Sequence, residues 1–111
     1  MESVKIAQFR RSGAKVFTGR DNGINARQQL RLAELEKKDT LTVLIPSDTW
    51  SINPSFFGGM FEDSIRNYGD DFEQHYRFTY TDGSELNAAL VQNIENNINY
   101  VRRSMNVKEG K

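Results

Sequence analysis

The chain has no cysteine, and only two prolines, one histidine and one tryptophan among its 111 residues. Without cysteine it forms no disulfides, offers no thiolate to a metal and has no thiol nucleophile, which suits a reducing compartment. A single histidine, His75, excludes the histidine clusters that hold zinc, and set among alternating strand residues it reads as a surface side chain. No serine or threonine stands in a pattern that pairs it with a base. The expectation is therefore a protein without catalytic residues, metal or cofactor. Long hydrophobic runs are missing as well. The N-terminus, MESVKIAQFRRSG, is interrupted by charges every few residues, and no window approaches a membrane span, so a cytoplasmic protein with no membrane partner is expected.

What the sequence does contain is large apolar surface for a chain of this size. Seven Phe, four Tyr and one Trp supply a core without help from metal or disulfide, and the length suits one domain, taken as residues 1–105 with a solvated tail at 106–111. Charge is unevenly spread. Residues 1–38 hold nine Lys/Arg against four Asp/Glu, a net +5; residues 39–85 hold two against nine, a net −7; residues 86–111 hold four against two, a net +2. Such segregation can steer a charged partner or orient self-association, so a homo-oligomer stays open. Arg10, Arg11 and Lys15 cluster near one turn without interleaved aromatics, so nucleic acid is not the expected partner.

The hydrophobic periods alternate along the chain. VKIAQF and AKVFTG, joined by RRSG, read as a hairpin, and a helix capped at Asp21 or Asn22 follows to about Lys38. TLTVLIP, residues 40–46, is a nearly uninterrupted β-branched run and the candidate for the centre of the sheet. A second helix runs from Pro54 to about Tyr68, with Asn53 as cap and Gly69 just past its end. FEQHYRFTY, residues 72–80, alternates like a strand near a sheet edge, and a last helix covers about 83–104. The order β-β-α-β-α-β-α predicts an α/β domain with a four-stranded mixed sheet and three helices largely on one side.

Two short stretches carry the functional expectations. Trp50 falls in the polar loop SDTWSIN, where no period demands it, directly before a carefully capped helix start. Trp50 reads either as a cap on the end of the core that staples the helix entry or as an exposed anchor; on the second reading Trp50, Asn53, Ser55, Phe56, Gly58 and Gly59 form a protein-contact surface. The glycine pair weakens the helix, and its expected use is to let the helix approach a neighbour closely. A phosphate on Ser55 in the first helical turn would be tolerated by the helix N-terminus. The turn TGRDNG offers the alternative, a small-ligand or nucleotide site in which Thr18, Gly19 and Arg20 bind an anion. No GxxxxGK[ST] or GxGxxG accompanies either glycine-rich stretch, so neither is a phosphate loop of known type.

The strand LTVLIP, the helix start INPSFFGGMF and the turn FTGRDNGINARQQL together resemble the STAS-like proteins grouped as a bacterial family of unknown function (DUF4325), related to the STAS fold of anti-sigma-factor antagonists. The resemblance covers roughly residues 14–103. It matches Thr18, Gly19 and Arg20 to a Ser/Thr-Arg turn, and Ser55 and Phe56 to a Ser-Phe pair whose serine falls where the antagonists are phosphorylated. The chain departs from the family at Ile45, where an Asp is usual, and at Gly58 and Gly59, where an acidic pair is usual. The resemblance implies a STAS-like, non-enzymatic regulatory or adaptor module, with a histidine-kinase-like ATPase as partner.

Overall fold

A computed structural model describes residues 2–109, with side chains described for 2–105. Three parallel strands form the main sheet: β1 (Glu2–Lys5), β3 (Leu41–Ile45) and β5 (Tyr76–Tyr80), in the order β1-β3-β5. Two very short strands, β2 (Val16–Phe17) and β4 (Ser51–Ile52), pair in parallel as a separate sheet. Five α-helical segments complete the fold: α1 (Arg20–Leu30), α2 (Leu32–Lys38), α3 (Pro54–Tyr68), the single turn α4 (Phe72–His75) and α5 (Ala88–Glu109). The expectation of one four-stranded mixed sheet with three helices is thus corrected to two parallel sheets and five helical segments.

The hairpin is the main casualty. Val4 pairs with Val43 and Phe17 with Ile52, so the first two strands pair with later strands and not with each other. Residues Ala7–Phe9 coil into a 3-10 turn that carries Phe9 into the core. The central position of TLTVLIP is observed: β3 pairs with β1 on one side and β5 on the other. The register places Val4, Val43 and Phe78 side by side, and Leu41, Val43 and Ile45 have no solvent exposure. On the opposite face Ser3, Lys5 and Arg77 are exposed, so the helices pack over the first face.

The helix expected over residues 21–38 is broken. Arg31 adopts a left-handed conformation, φ 57° and ψ 44°, and ends α1 while opening α2. A non-glycine residue in that region is uncommon and carries a backbone cost. Along α3, Phe56, Phe57, Met60, Phe61 and Ile65 are buried, and rings from Phe57 and Phe61 pack on Phe78 of β5. The segment 72–75, expected as strand, is the helical turn α4, and β5 begins only at Tyr76. The last helix starts later than expected. Asn87 accepts a hydrogen bond from the Leu90 N–H at 2.8 Å, an N-cap geometry, whereas Asp82 accepts from the Ser84 N–H in a turn. It extends through Glu109; the side chains of the expected tail at 106–111 lie outside the described residues.

Candidate functional site

Trp50 is 73% exposed, the most exposed large apolar side chain among the described residues. Its backbone is nevertheless held on both sides. The Trp50 N–H donates to Lys15 O at 2.7 Å, the Asn53 N–H to Phe17 O at 2.8 Å and the Thr49 N–H to Pro46 O at 3.1 Å. Asn93 of α5 adds two bonds to Ile52, accepting from its N–H at 2.8 Å and donating to its carbonyl at 3.2 Å. Asp48 fastens the outer side of the loop through Arg10 at 2.7 Å and Lys15 at 3.4 Å. The Arg10 hydrogen bond holds the Asp48 carboxyl below its ordinary range. An exposed indole on so well-tied a loop is presented at little ordering cost, the arrangement of an anchor side chain.

The helix start beside it is built as its residue types require. Asn53 Oδ1 accepts from the Ser55 N–H at 2.9 Å, and Pro54 occupies the first helical position, where no N–H is needed. The Ser55 hydroxyl donates to the same Asn53 oxygen at 2.6 Å. Ser55 is half-buried and its hydroxyl is engaged with its cap at an exposed position. Phe56 is 1% exposed and packs on Phe17 with ring centroids 5.2 Å apart, so it belongs to the core and drops out of the contact surface. Trp50 and Asn53 are exposed; Gly58 is buried and Gly59 half-buried.

The two glycines meet α1. A Cβ on Gly59 would lie 2.3 Å from Arg20 O, and one on Gly23 would lie 2.1 Å from Phe56 O. Gly23 and Gly59 therefore let the backbones of α1 and α3 cross in contact, which neither helix could do with alanine there. Gly58 differs: its Cβ would meet only the Arg20 guanidinium, with Nη2 at 3.0 Å. Arg20 lies over Gly58 and pairs with Glu62 at 3.2 Å. The turn at Thr18–Arg20 and the start of α3, which sequence reasoning kept as alternative sites, are thus neighbours on one surface. A cavity of about 580 Å³ at that turn is lined by Arg10, Arg11, Thr18, Gly19 and Arg20, and by the carboxylate-bearing Asp21. Gly19 caps α1 without a side-chain hydrogen bond, φ 92°.

Sequence reasoning missed a buried polar cluster on the far side of α3. Glu36 of α2 is 3% exposed, and its Oε1 accepts from Ser64 Oγ and from the Tyr76 hydroxyl, each at 2.6 Å. Arg27 of α1 lies 3.5 Å from Glu36 Oε2 and donates to Ser64 Oγ at 2.7 Å and Met60 O at 3.0 Å. The Glu36 carbonyl is also occupied. Tyr68 donates to it at 3.1 Å, and His75 Nε2 lies 2.6 Å away, which requires that nitrogen to carry the hydrogen. His75 stacks on Tyr68 with centroids 4.2 Å apart, so it is a structural side chain and not the bare surface histidine expected. Burial, then the bond to Glu36, push the Tyr76 hydroxyl pKa up. The signal was available: Glu36 follows buried Leu32 by four residues and so lies on the same helix face. Arg27 alone touches a surface cavity, where Asp63 lies 4.0 Å from its Nε, and the hydrogen bonds among Glu36, Ser64 and Tyr76 give the cluster a structural role.

Among the described residues no group of three or more His, Asp or Glu could hold a metal ion, and no helix is long and apolar enough to cross a membrane. Comparison with protein-family models, with curated proteins and with solved structures gave no match.

Proposed function

We propose that the chain is a non-enzymatic regulatory or adaptor module that binds a partner protein through Trp50 and the adjoining start of α3. The observation that carries this reading is the 73% exposure of Trp50 on a loop tied by backbone and ionic bonds. Large aromatic side chains are costly to leave in water and are the commonest anchors of protein interfaces. Exposed Asn53 and half-buried Ser55, at the start of α3, are the polar side chains that follow that anchor in the chain. Phosphorylation of Ser55 would break its bond to Asn53 and place negative charge at the α3 N-terminus, changing the surface without opposing the helix. Membership of the STAS-like family, a histidine-kinase-like ATPase as the partner and a cytoplasmic location belong to the same proposal, supported by the Thr18–Arg20 and Ser55–Phe56 motifs.

The test is titration of the chain with the histidine-kinase-like ATPase domain of its host, read by Trp50 fluorescence and calorimetry. Binding with a blue-shifted emission that Trp50→Ala abolishes supports the proposal; equal affinity of the variant overturns it. The alternative, nucleotide binding at the Thr18–Arg20 turn, rests on the arginine-lined cavity there. It is the weaker reading because Arg20 is already paired with Glu62. It gains only if ATP or GTP binds the isolated chain and Arg20→Ala removes that binding.

A further inference from the structure

Phe78 is the middle residue of β5 and faces the same way as fully buried Val43, yet it is only half-buried. The reason is a cavity of about 190 Å³ between β5 and α5, walled by Phe78, Leu86, Val91 and Ile94 with Glu73 and Glu95 at its rim. Val91 is 38% exposed there. The backbone of β5 is open beside it. The Thr81 N–H donates to Ile45 O, and alternate residues of a strand turn their peptide groups the same way, so Arg77 and Thr79 face β3 while Phe78 faces away. On that outer side the Tyr76 N–H is taken by Phe72 O and the Tyr80 N–H by Ser84 O. Phe78 alone keeps an amide N–H for an incoming strand, and β5 pairs only with β3 among the described residues.

Charge decides what sort of strand fits. Among the described residues lining the cavity none is Lys or Arg. Glu73 is bridged by Arg102 at 2.8 Å, whereas Glu95 has no ion-pair partner among the described residues. We propose that β5 and α5 form a docking groove for an extended basic segment of a partner protein. Its backbone pairs with Phe78, one aliphatic side chain fills the cavity, and a neighbouring Lys or Arg meets Glu95. This is strand addition at a sheet edge, where main-chain bonds hold the segment and a pocket selects alternate side chains. The groove is distinct from the Trp50 surface, so either can fail without the other.

The probe is the fluorescent peptide acetyl-Lys-Val-Lys-Leu-Lys-Val-Lys-amide, followed by anisotropy and by hydrogen exchange of the Phe78 amide. Saturable binding with slowed exchange at Phe78 is expected. Val91→Ser and Glu95→Lys, both at exposed positions and checked for native circular dichroism, should each weaken it at least about tenfold. Trp50→Ala should bind as the parent does. Methylating alternate peptide nitrogens should abolish binding on one of the two edges of the peptide. Unchanged Phe78 exchange, full affinity in Val91→Ser, or equal binding of the peptide with Glu in place of Lys overturns the proposal. So does Phe78 protection that rises with protein concentration alone, which would make a second copy of this chain the occupant.

Discussion

Glu36 and Asp48 each tie a short segment to its neighbours through an arginine, one inside the molecule and one on its surface. Glu36 holds the seven-residue α2 against α1, α3 and β5; Asp48 holds the loop that carries Trp50 against Arg10 and Lys15. Asp48 lies closer to its arginine, 2.7 Å against 3.5 Å for Glu36, but the surroundings differ more. Around Glu36 the Ser64 and Tyr76 hydroxyls are buried and have nothing to replace a lost acceptor, while Arg27 keeps only Asp63 at 4.0 Å. The Asp48 side chain is 50% exposed, and water stands ready to take over. The same chemistry should therefore secure the fold in one place and only steady a surface in the other.

The sharpest test is removal of each carboxylate. Glu36→Ala takes the nearer carboxylate from Arg27, leaving it Asp63 at 4.0 Å, and strands the buried Tyr76 and Ser64 hydroxyls; it should cost about 3–5 kcal/mol in denaturant unfolding. Glu36→Gln keeps an acceptor for Tyr76 and Ser64 and should cost less, about 1–3 kcal/mol. If Glu36→Ala proves no worse than a surface substitution, water reaches the cluster and the contrast collapses.

The glycine pair tests whether the fold's other tight contact is equally unforgiving. Gly59→Ala drives a Cβ into the Arg20 carbonyl and should destabilise by about 1–3 kcal/mol. Gly58→Ala meets only a mobile guanidinium, so the helix-propensity gain of about 1 kcal/mol should leave it neutral to stabilising. Equal effects from the two substitutions in thermal unfolding would show that α1 and α3 can move apart.

Asp48→Asn should hardly alter global stability, and its effect is expected in the pH dependence of the loop. Because the Arg10 hydrogen bond depresses the folded-state pKa of Asp48, its contribution is present above the ordinary value of 3.8 and is lost as pH falls through the depressed one. Trp50 emission should change in that acid range before far-ultraviolet dichroism does, and Asp48→Asn should remove the early phase. Coincident transitions in the parent would mean that the clamp and the core yield together. Smallest of all, Trp50→Ala should shift stability by less than about 0.5 kcal/mol, since the ring buries little. A larger loss would place the indole in the core's service.

These contrasts also mark what could be read from the chain. The α3 helix was legible because its start and stop are local: Asn53, Pro54 and Gly69 act on their immediate backbone. The centre of the sheet was legible because β3 has no polar face to give away. The hairpin was misread because β1 and β2 find partners far along the chain, and no local pattern records that. Phe72 and Tyr76 are four residues apart, a spacing that satisfies both the strand period and the helix period, so the α4 turn passed for strand. The break at Arg31 has no sequence mark, since a glycine would have been the expected residue. Of the candidate surface, the cap at Asn53 was visible and Trp50 was singled out without its exposure being fixed, but burial of Phe56 and the junction of Arg20 with Gly58 depend on how α1 crosses α3.

The absence of a hairpin from the main sheet bears on how the chain acquires its shape. Val4 must wait for Val43, and Val43 for Phe78, so every strand pairing closes a long loop around an intervening helix. During synthesis β1 emerges first and has no mate until β3 leaves the ribosome, and β3 remains open on one side until β5 follows. The native contacts become accessible to the nascent chain in the order of its elements: the helical turns of α1, then the β1–β3 pairing, then the α1–α3 crossing at Gly23 and Gly59. A nascent chain stopped before Tyr76 lacks β5, so one edge of the apolar strand β3 has no partner, and that edge is the surface a chaperone would meet.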